Sequence, residues 1–395
     1  MKTKILPILT LSLLFFVSYT QTFAADLELT GWIPYWRVSG GTRDARNHIE
    51  ELSEIHPFGY SVTEDGELKD LAKLKKSSWR KLFREADKED VRIIPTVMWS
   101  SGPQIHKILS NPVSREDHID EIVSVVKKGK FDGIDIDYEG KLAETKDYFS
   151  LFLKELKAEL GNKMLTCAVE ARTPPSSLYR TIPTNLQYAN DYAAIGRYCD
   201  RVQIMTYDQG RADIKLNDLK AGAPYVPVAD VDWVRKVVEL TVQLVPGNKI
   251  VLGVATYGRE YEVTVAPNWY KSYRTIRSLN PDDALDLADE YDVTPSRNRA
   301  GEMSFTYLPE SSKLKFPKSL TIPTDTPKGN TIAAKALAYA NQTGQTVTFN
   351  IVWWSDAKAI EDKVDLAKEF GLRGIAIFKI DGEEDRDIWD IFENE

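Results

Sequence analysis

The chain has 395 residues, 22 of them Gly and 19 Pro, and a net charge of −8 spread along its length. That composition excludes collagen-like and disordered chains, and the lack of a basic block excludes a nucleic-acid footprint. The length is ample for one large core, as a barrel with an insertion or as two modest domains.

At the amino terminus Lys2 and Lys4 precede an apolar run from Ile5 to Val17, followed by Thr22-Phe23-Ala24-Ala25. A basic start, an apolar stretch and a small-residue site read as a secretory signal peptide over 1–24. An uncleaved membrane anchor is the alternative, for which the run is short. No later stretch approaches about 18 consecutive apolar residues. The mature chain is therefore expected to be secreted or periplasmic, without stable membrane insertion, and to act as a monomer.

From Leu27 onward short apolar runs alternate with amphipathic stretches. The runs are Leu29–Tyr35, Phe58–Val62, Val91–Met98, Gly133–Tyr138, Leu165–Val169, Val202–Tyr207, Ile250–Thr256 and Gly374–Ile380. Between them Ile119, Ile122, Val123 and Val126 share a helical face, with Ser114 and Asp117 as a capping box. Phe149, Phe152, Leu153, Leu156 and Leu160 form a second stripe closed by Gly161, and Asp230 and Asp356 suit helix N-caps. Strands alternating with helices imply a parallel sheet, and eight is the number that closes a (β/α)8 TIM barrel. An open doubly wound sheet is the alternative, but no Gly-rich phosphate loop follows the first run. The stretch from Gly258 to Gln345 breaks the rhythm and is too long for a bare loop. It contains a strand-like Met303–Tyr307 and a helix-like Thr331–Ala340. The expected division is a first barrel part at 25–258, a small α+β insertion subdomain after the seventh strand at 259–345, and a last barrel part at 346–395.

Cys167 and Cys199 are the two cysteines, and spacing does not decide whether they bridge. The histidines His48, His56, His106 and His118 are scattered without metal-ligand spacing. Neither a metal nor a cofactor is expected.

The chemistry is written in Phe131-Asp132-Gly133-Ile134-Asp135-Ile136-Asp137-Tyr138-Glu139. Side chains on a strand alternate, so Asp135, Asp137 and Glu139 share one face and Asp132 has the opposite parity. Carboxylates spaced about 6–7 Å apart along a strand raise one another's pKa, and a proton stays in the set near neutral pH. That is the state a general acid needs. A solvated acidic edge is the plainer reading, but Ile134, Ile136 and Tyr138 on the other face argue against it. A calcium loop would need turn geometry instead.

The segment resembles the DGxDxDxE signature of glycoside hydrolase family 18, the chitinase-like family, at every fixed position. Gln203-Ile204-Met205-Thr206-Tyr207-Asp208 and Leu252-Gly253-Val254-Ala255-Thr256-Tyr257-Gly258-Arg259 resemble that family's sixth and seventh strands. The likeness covers nearly the whole chain after the leader, closest to bacterial members that act on spore or cell-wall glycans. It implies substrate-assisted retaining hydrolysis next to N-acetylglucosamine, an exception to the two-carboxylate scheme. In that reading Glu139 is the acid/base, Asp137 holds the substrate's acetamido N–H, Asp135 shares a proton with Asp137, and Tyr207 bonds the acetamido oxygen. Asp208 binds sugar hydroxyls. Tyr35, Trp99, Met205 and Arg259, near strand ends, are candidate sugar contacts. The family usually has Trp on the eighth strand, where this chain puts Phe378. The expected partner is a glycan containing N-acetylglucosamine; a non-catalytic lectin on the same barrel is the competing reading.

Overall fold

The computed structural model describes residues 27–393, so the expected signal peptide at 1–24 lies outside the described residues. Each apolar run becomes a strand: β1 (Glu28–Pro34), β2 (Glu54–Val62), β3 (Thr96–Trp99), β4 (Gly133–Tyr138), β5 (Met164–Glu170), β6 (Arg201–Met205) and β7 (Ile250–Ala255). A second sheet follows, of β8 (Gly258–Ala266), β9 (Trp269–Leu279), β10 (Ser296–Arg297), β11 (Met303–Tyr307) and β12 (Val347–Trp354). Then β13 (Gly374–Phe378) completes the first sheet. Its members pair in parallel with their neighbours, and β1 bonds to both β2 and β13, which closes the ring. The fold is a (β/α)8 barrel, as the alternation of runs implies.

Two strands differ from their apolar runs for polar reasons. β2 begins at Glu54 rather than Phe58, because its first inward side chains are hydrophilic and paired. His56 Nδ1 lies 3.0 Å from the Ile94 carbonyl and its Nε2 3.0 Å from Gln203, while Glu54 takes a salt bridge from Arg92 at 2.9 Å. The Val91–Met98 run splits into Arg92–Ile93 and β3 around Pro95, which has no N–H for a ladder.

Helices cover the outside. The helix Pro112–Gly129 is capped by Asn111, whose Oδ1 accepts from the Val113 and Ser114 amides, so the expected Ser114–Asp117 box is not its start. Pro112 at the first helical position sets that entry, since its missing N–H would be unsatisfied there anyway. The Phe149–Leu160 stripe lies on the helix Lys146–Leu160 and is closed by Gly161 at φ +59°. Asp230 and Asp356 cap their helices through the Asp232 and Ala359 amides. The main apolar core lies between strands and helices, and a smaller cluster of Trp32, Ala168, Val251 and Ala376 is separate from it.

The insertion is an antiparallel sheet in the order β9-β8-β12-β11-β10, with helices Pro281–Glu290 and Thr331–Thr343. The expected boundary at residue 345 falls short. β12 runs back along β8, pairing Val347 with Val265 and Trp354 with Gly258, so the subdomain extends to Trp354. A buried carboxylate joins the two units: Glu302 accepts from the Val228 and Ala229 amides at 2.9 Å and from Trp353 Nε1 at 2.6 Å.

Cys167 on β5 and Cys199 before β6 form a disulfide with a Cα–Cα distance of 6.1 Å, which settles what spacing left open. Both cysteines are fully buried. Replacing both cysteines by Ala is expected to cost about 2–4 kcal/mol of stability, read as a lower urea midpoint. An unchanged midpoint would mean that the bridge contributes nothing to the folded state.

Candidate active site

β4 carries the carboxylate row, and its neighbours decide the state of each member. Asp135 is fully buried opposite Thr96 of β3 and Thr166 of β5. It accepts from Thr96 Oγ1 and Thr166 Oγ1 at 2.8 Å and from Trp32 Nε1 at 3.0 Å. Three donors satisfy it as a carboxylate, which a buried charge requires.

Asp137 is 4% exposed, and its Oδ1 has no partner among the described residues. Burial pushes its carboxyl well above the usual range, and the charges of Glu139 and Asp135 add to the shift, against Lys141. Glu139 is half-buried at the end of the strand, with its amide donating to the Trp99 carbonyl at 2.8 Å. Burial raises its pKa, and the Glu170 carboxylate raises it further. Lys141 and a hydrogen bond with Asp137 act the other way. A carboxyl whose pKa is raised, at a half-exposed position, is suited to give a proton to a leaving group.

The neighbouring loops supply the walls. Tyr207 follows β6, and its ring stacks on Phe378 of β13 with centroids 5.5 Å apart and planes 13° from parallel. Burial pushes its hydroxyl well up, so the group is a proton donor throughout the physiological range. Asp208, at φ +56°, accepts from Arg259 Nη2 at 2.6 Å and Nε at 3.0 Å. Met205 is half-exposed at the end of β6, and Tyr35 stands exposed after β1 with its ring edge-on to Trp36 at 4.8 Å. A cleft of roughly 420 Å³ opens beside Phe378, lined by Trp36, Arg37, Asp208, Tyr257, Arg259 and Lys379 among others. That size suits a small ligand or a few sugar units.

The structure thus brings together Glu139, Asp137, Asp135, Tyr207 and Phe378, with Asp208 and Arg259 at the cleft. Trp99 does not belong there. It is buried with its ring edge-on to Tyr138 at 5.4 Å and tilted against His118 at 5.6 Å. The cause is parity: Trp99 pairs with Tyr138, whereas Met98 pairs with Asp137 and takes the inward, half-exposed position. Alternation along β3 carried that signal.

Five further residues escaped the sequence reading. Trp32, Thr96 and Thr166 hold Asp135, and Glu170 and Lys141 flank Glu139. Parity alone reaches Glu170, since Thr166, Ala168 and Glu170 share one face of β5. Lys141 lies beyond the strand after Gly140 at φ +61°, where no periodicity applies. Among the described residues one trio, His48, Glu51 and Glu393, brings possible metal ligands within 4.8 Å, and it includes none of the carboxylate row.

Comparison with known proteins matches residues 32–383 to the family described as glycosyl hydrolases family 18. The chain is 24% identical over 289 residues to the uncharacterized glycosylase YvbX of Bacillus subtilis, covering 73% of this chain and 68% of that protein. It is 23% identical over 273 residues to the cortical fragment-lytic enzyme of the same organism, covering 69% of this chain and 52% of that one, so about half of that relative is spanned. A chitinase structure from Chromobacterium violaceum superposes with a TM-score of 0.67 at 18% identity, over 93% of this chain and 98% of that chain, a likeness of fold. With the family match spanning both the carboxylate strand and the strand that carries Phe378, the chain belongs to glycosyl hydrolases family 18 and is a glycosidase.

Proposed function

We propose that the protein is an exported enzyme that cleaves β-1,4 bonds next to N-acetylglucosamine with retention, in chitin oligomers or peptidoglycan-type glycans. The observation that carries this reading is a half-buried Glu139, whose pKa burial raises, beside a buried Asp137 that keeps one oxygen unpartnered among the described residues. A buried acceptor without a donor is costly, and an acetamido N–H entering the cleft would satisfy it.

In this reading Glu139 gives its proton to the glycosidic oxygen as the C1–O bond breaks. The substrate's acetamido oxygen attacks C1, and an oxazolinium ion forms. Asp137 accepts the acetamido N–H and faces the positive charge, and the Tyr207 hydroxyl donates to the acetamido oxygen. Water then attacks C1 as the bond from C1 to the acetamido oxygen breaks and the acetamido group re-forms, and the water gives a proton back to Glu139, which restores the enzyme. In the resting site the shared proton belongs between Asp137 and Glu139, which share a hydrogen bond. Asp135, held by Trp32, Thr96 and Thr166, anchors the row below that pair. Phe378, stacked on Tyr207, offers a ring face to the sugar at the reacting centre, where the family usually has the larger indole. Asp208, Arg259, Met205 and Tyr35 contact the flanking sugar units. Export rests on the leader at 1–24, and a buried disulfide is at home in an oxidising compartment.

The test is mass spectrometry of products from chitohexaose and from peptide-stripped peptidoglycan glycan, with wild type and Glu139→Gln side by side. The wild type should cleave at least one of them, and the variant should lose about 10²–10⁴-fold in kcat while still binding it. Binding by the wild type without cleavage of either glycan would replace the enzyme by a lectin. A thiazoline analogue of the oxazolinium ion separates the mechanisms. It should inhibit competitively; an unaffected rate would instead point to Asp137 as a direct nucleophile.

A further inference from the structure

The row on β4 is not the only acidic group at the barrel mouth. Glu170, the last residue of β5, lies one strand over on the same inward face as Thr166 and Ala168. Its Oε1 accepts from the Gly140 amide at 2.9 Å and its Oε2 from Asn190 Nδ2 at 2.6 Å. Lys141, with a fully buried side chain, sets its ammonium 3.8 Å from Glu170 Oε2 and 4.5 Å from the centre of the Phe149 ring, and donates to the Tyr138 carbonyl. The peptides on both sides of Glu139 are therefore held by this one pair. The Glu139 amide itself is held by the Trp99 carbonyl.

We infer that Glu170 is a fourth working carboxylate of the site, a positioning residue that with Lys141 clamps the backbone around Glu139 and sets the charge its carboxyl faces. The inference rests on the reading of Glu139 as the general acid. Its geometry is that of a device rather than of a stray ion pair. A cation buried on its own would be costly, and among the described residues Glu170 has the one carboxylate within 4.0 Å of Lys141. The groups that face Glu139 are Asp137 on its own strand, Lys141 after it, Glu170 from β5, and Tyr207 and Asp208 from the loop after β6. Of these, Glu170 acts most strongly to keep the proton on Glu139 and Lys141 most strongly to remove it. The pair thus works as a matched plus and minus. Glu170 holds the acid charged with its proton, and Lys141 keeps that hold from becoming too tight for release.

The sign follows for each variant. Glu170→Gln removes a negative charge and lowers the pKa of Glu139, so the proton is lost at lower pH. Lys141→Met removes a positive charge and raises it. Glu170→Gln should fold, because its amide oxygen can still accept from the Gly140 N–H and Lys141 keeps the Tyr138 carbonyl and the Phe149 ring. The new NH2 can donate to Asn190 Oδ1, which has no partner, once the Asn190 amide turns over.

The experiment is a ¹³C-carboxyl NMR titration of Glu139, assigned by its disappearance in Glu139→Gln, for wild type, Glu170→Gln and Lys141→Met. A pH profile of kcat/KM accompanies it on whichever glycan the wild type cleaves. The Glu139 titration, and with it the alkaline limb of the profile, should move down by about one pH unit in Glu170→Gln and upward in Lys141→Met. A Glu139 titration that stays in place in Glu170→Gln overturns the inference, whether or not Lys141→Met folds. If the titration moves but the wild type cleaves neither glycan, the proposed reaction fails and the charge coupling stands.

Discussion

Taking a row of carboxylates out of water is the constraint around which this barrel is built. Asp135 is the deepest member, and its charge is tolerable because three strands each send it a donor: Trp32 from β1, Thr96 from β3 and Thr166 from β5. Two of those strands flank β4, but β1 reaches Asp135 across the interior, and only a closed ring places it there. Closure and site are therefore one problem. A buried carboxylate without those donors would cost several kcal/mol, so the polar layer inside the barrel belongs to the fold as much as to the chemistry.

Above that anchor the dielectric rises toward the mouth, and the row changes character with height. Asp135 is satisfied, Asp137 is buried with an idle oxygen, and Glu139 is half-exposed. A sequence of like charges at strand spacing thus becomes three different groups because each sits at a different depth. The aromatic floor follows the same logic. Tyr207 stacks on Phe378, and Phe378 meets Trp32, Phe58 and Tyr257 nearly edge-on, at 5.9, 5.9 and 6.2 Å. The stack has room because β7 has Gly253 beneath it. A Cβ there would stand 2.6 Å from the Ile204 carbonyl oxygen and 3.1 Å from the Tyr207 ring. That glycine in the seventh-strand motif is a packing requirement of the tyrosine in the sixth.

The barrel and the carboxylate row were legible because both are written as periodicities. The β4 boundaries Gly133–Tyr138 match the apolar run, and the inward set of Asp135, Asp137 and Glu139 follows from alternation. What escaped was written in pairs distant along the chain. The start of β2 is polar because His56 meets Gln203 and Glu54 meets Arg92 and Arg201, and no local window contains those partners. β12 falls within the last barrel part expected at 346–395; its pairing with β8 and β11 assigns it to the insertion. Trp99 was misplaced for a different reason, since its parity was available and proximity to a strand end was used in its stead. The helix start at Asn111 shows the limit of motif matching. A capping pattern at Ser114 and Asp117 exists in sequence, but Pro112 fixes the entry one turn earlier.

The charges around the cleft bear on what kind of glycan the site suits. Its cations are already matched: Arg259 by Asp208 at 2.6 Å, Arg37 by Glu383 and by Asp381 at 3.5 Å, and Lys379 by Asp381, with Asn280 Oδ1 at 2.9 Å. An anionic substituent entering there would meet the negative charge of the carboxylate that already neutralises each of them. Hydroxyl and acetamido groups face no such repulsion. They can share the remaining lone pairs and N–H groups of pairs that stay intact. Electrostatics on the Phe378 side of Glu139 therefore favour neutral sugar units, and the proposed N-acetylglucosamine residue fits that side better than a sugar bearing a free carboxylate.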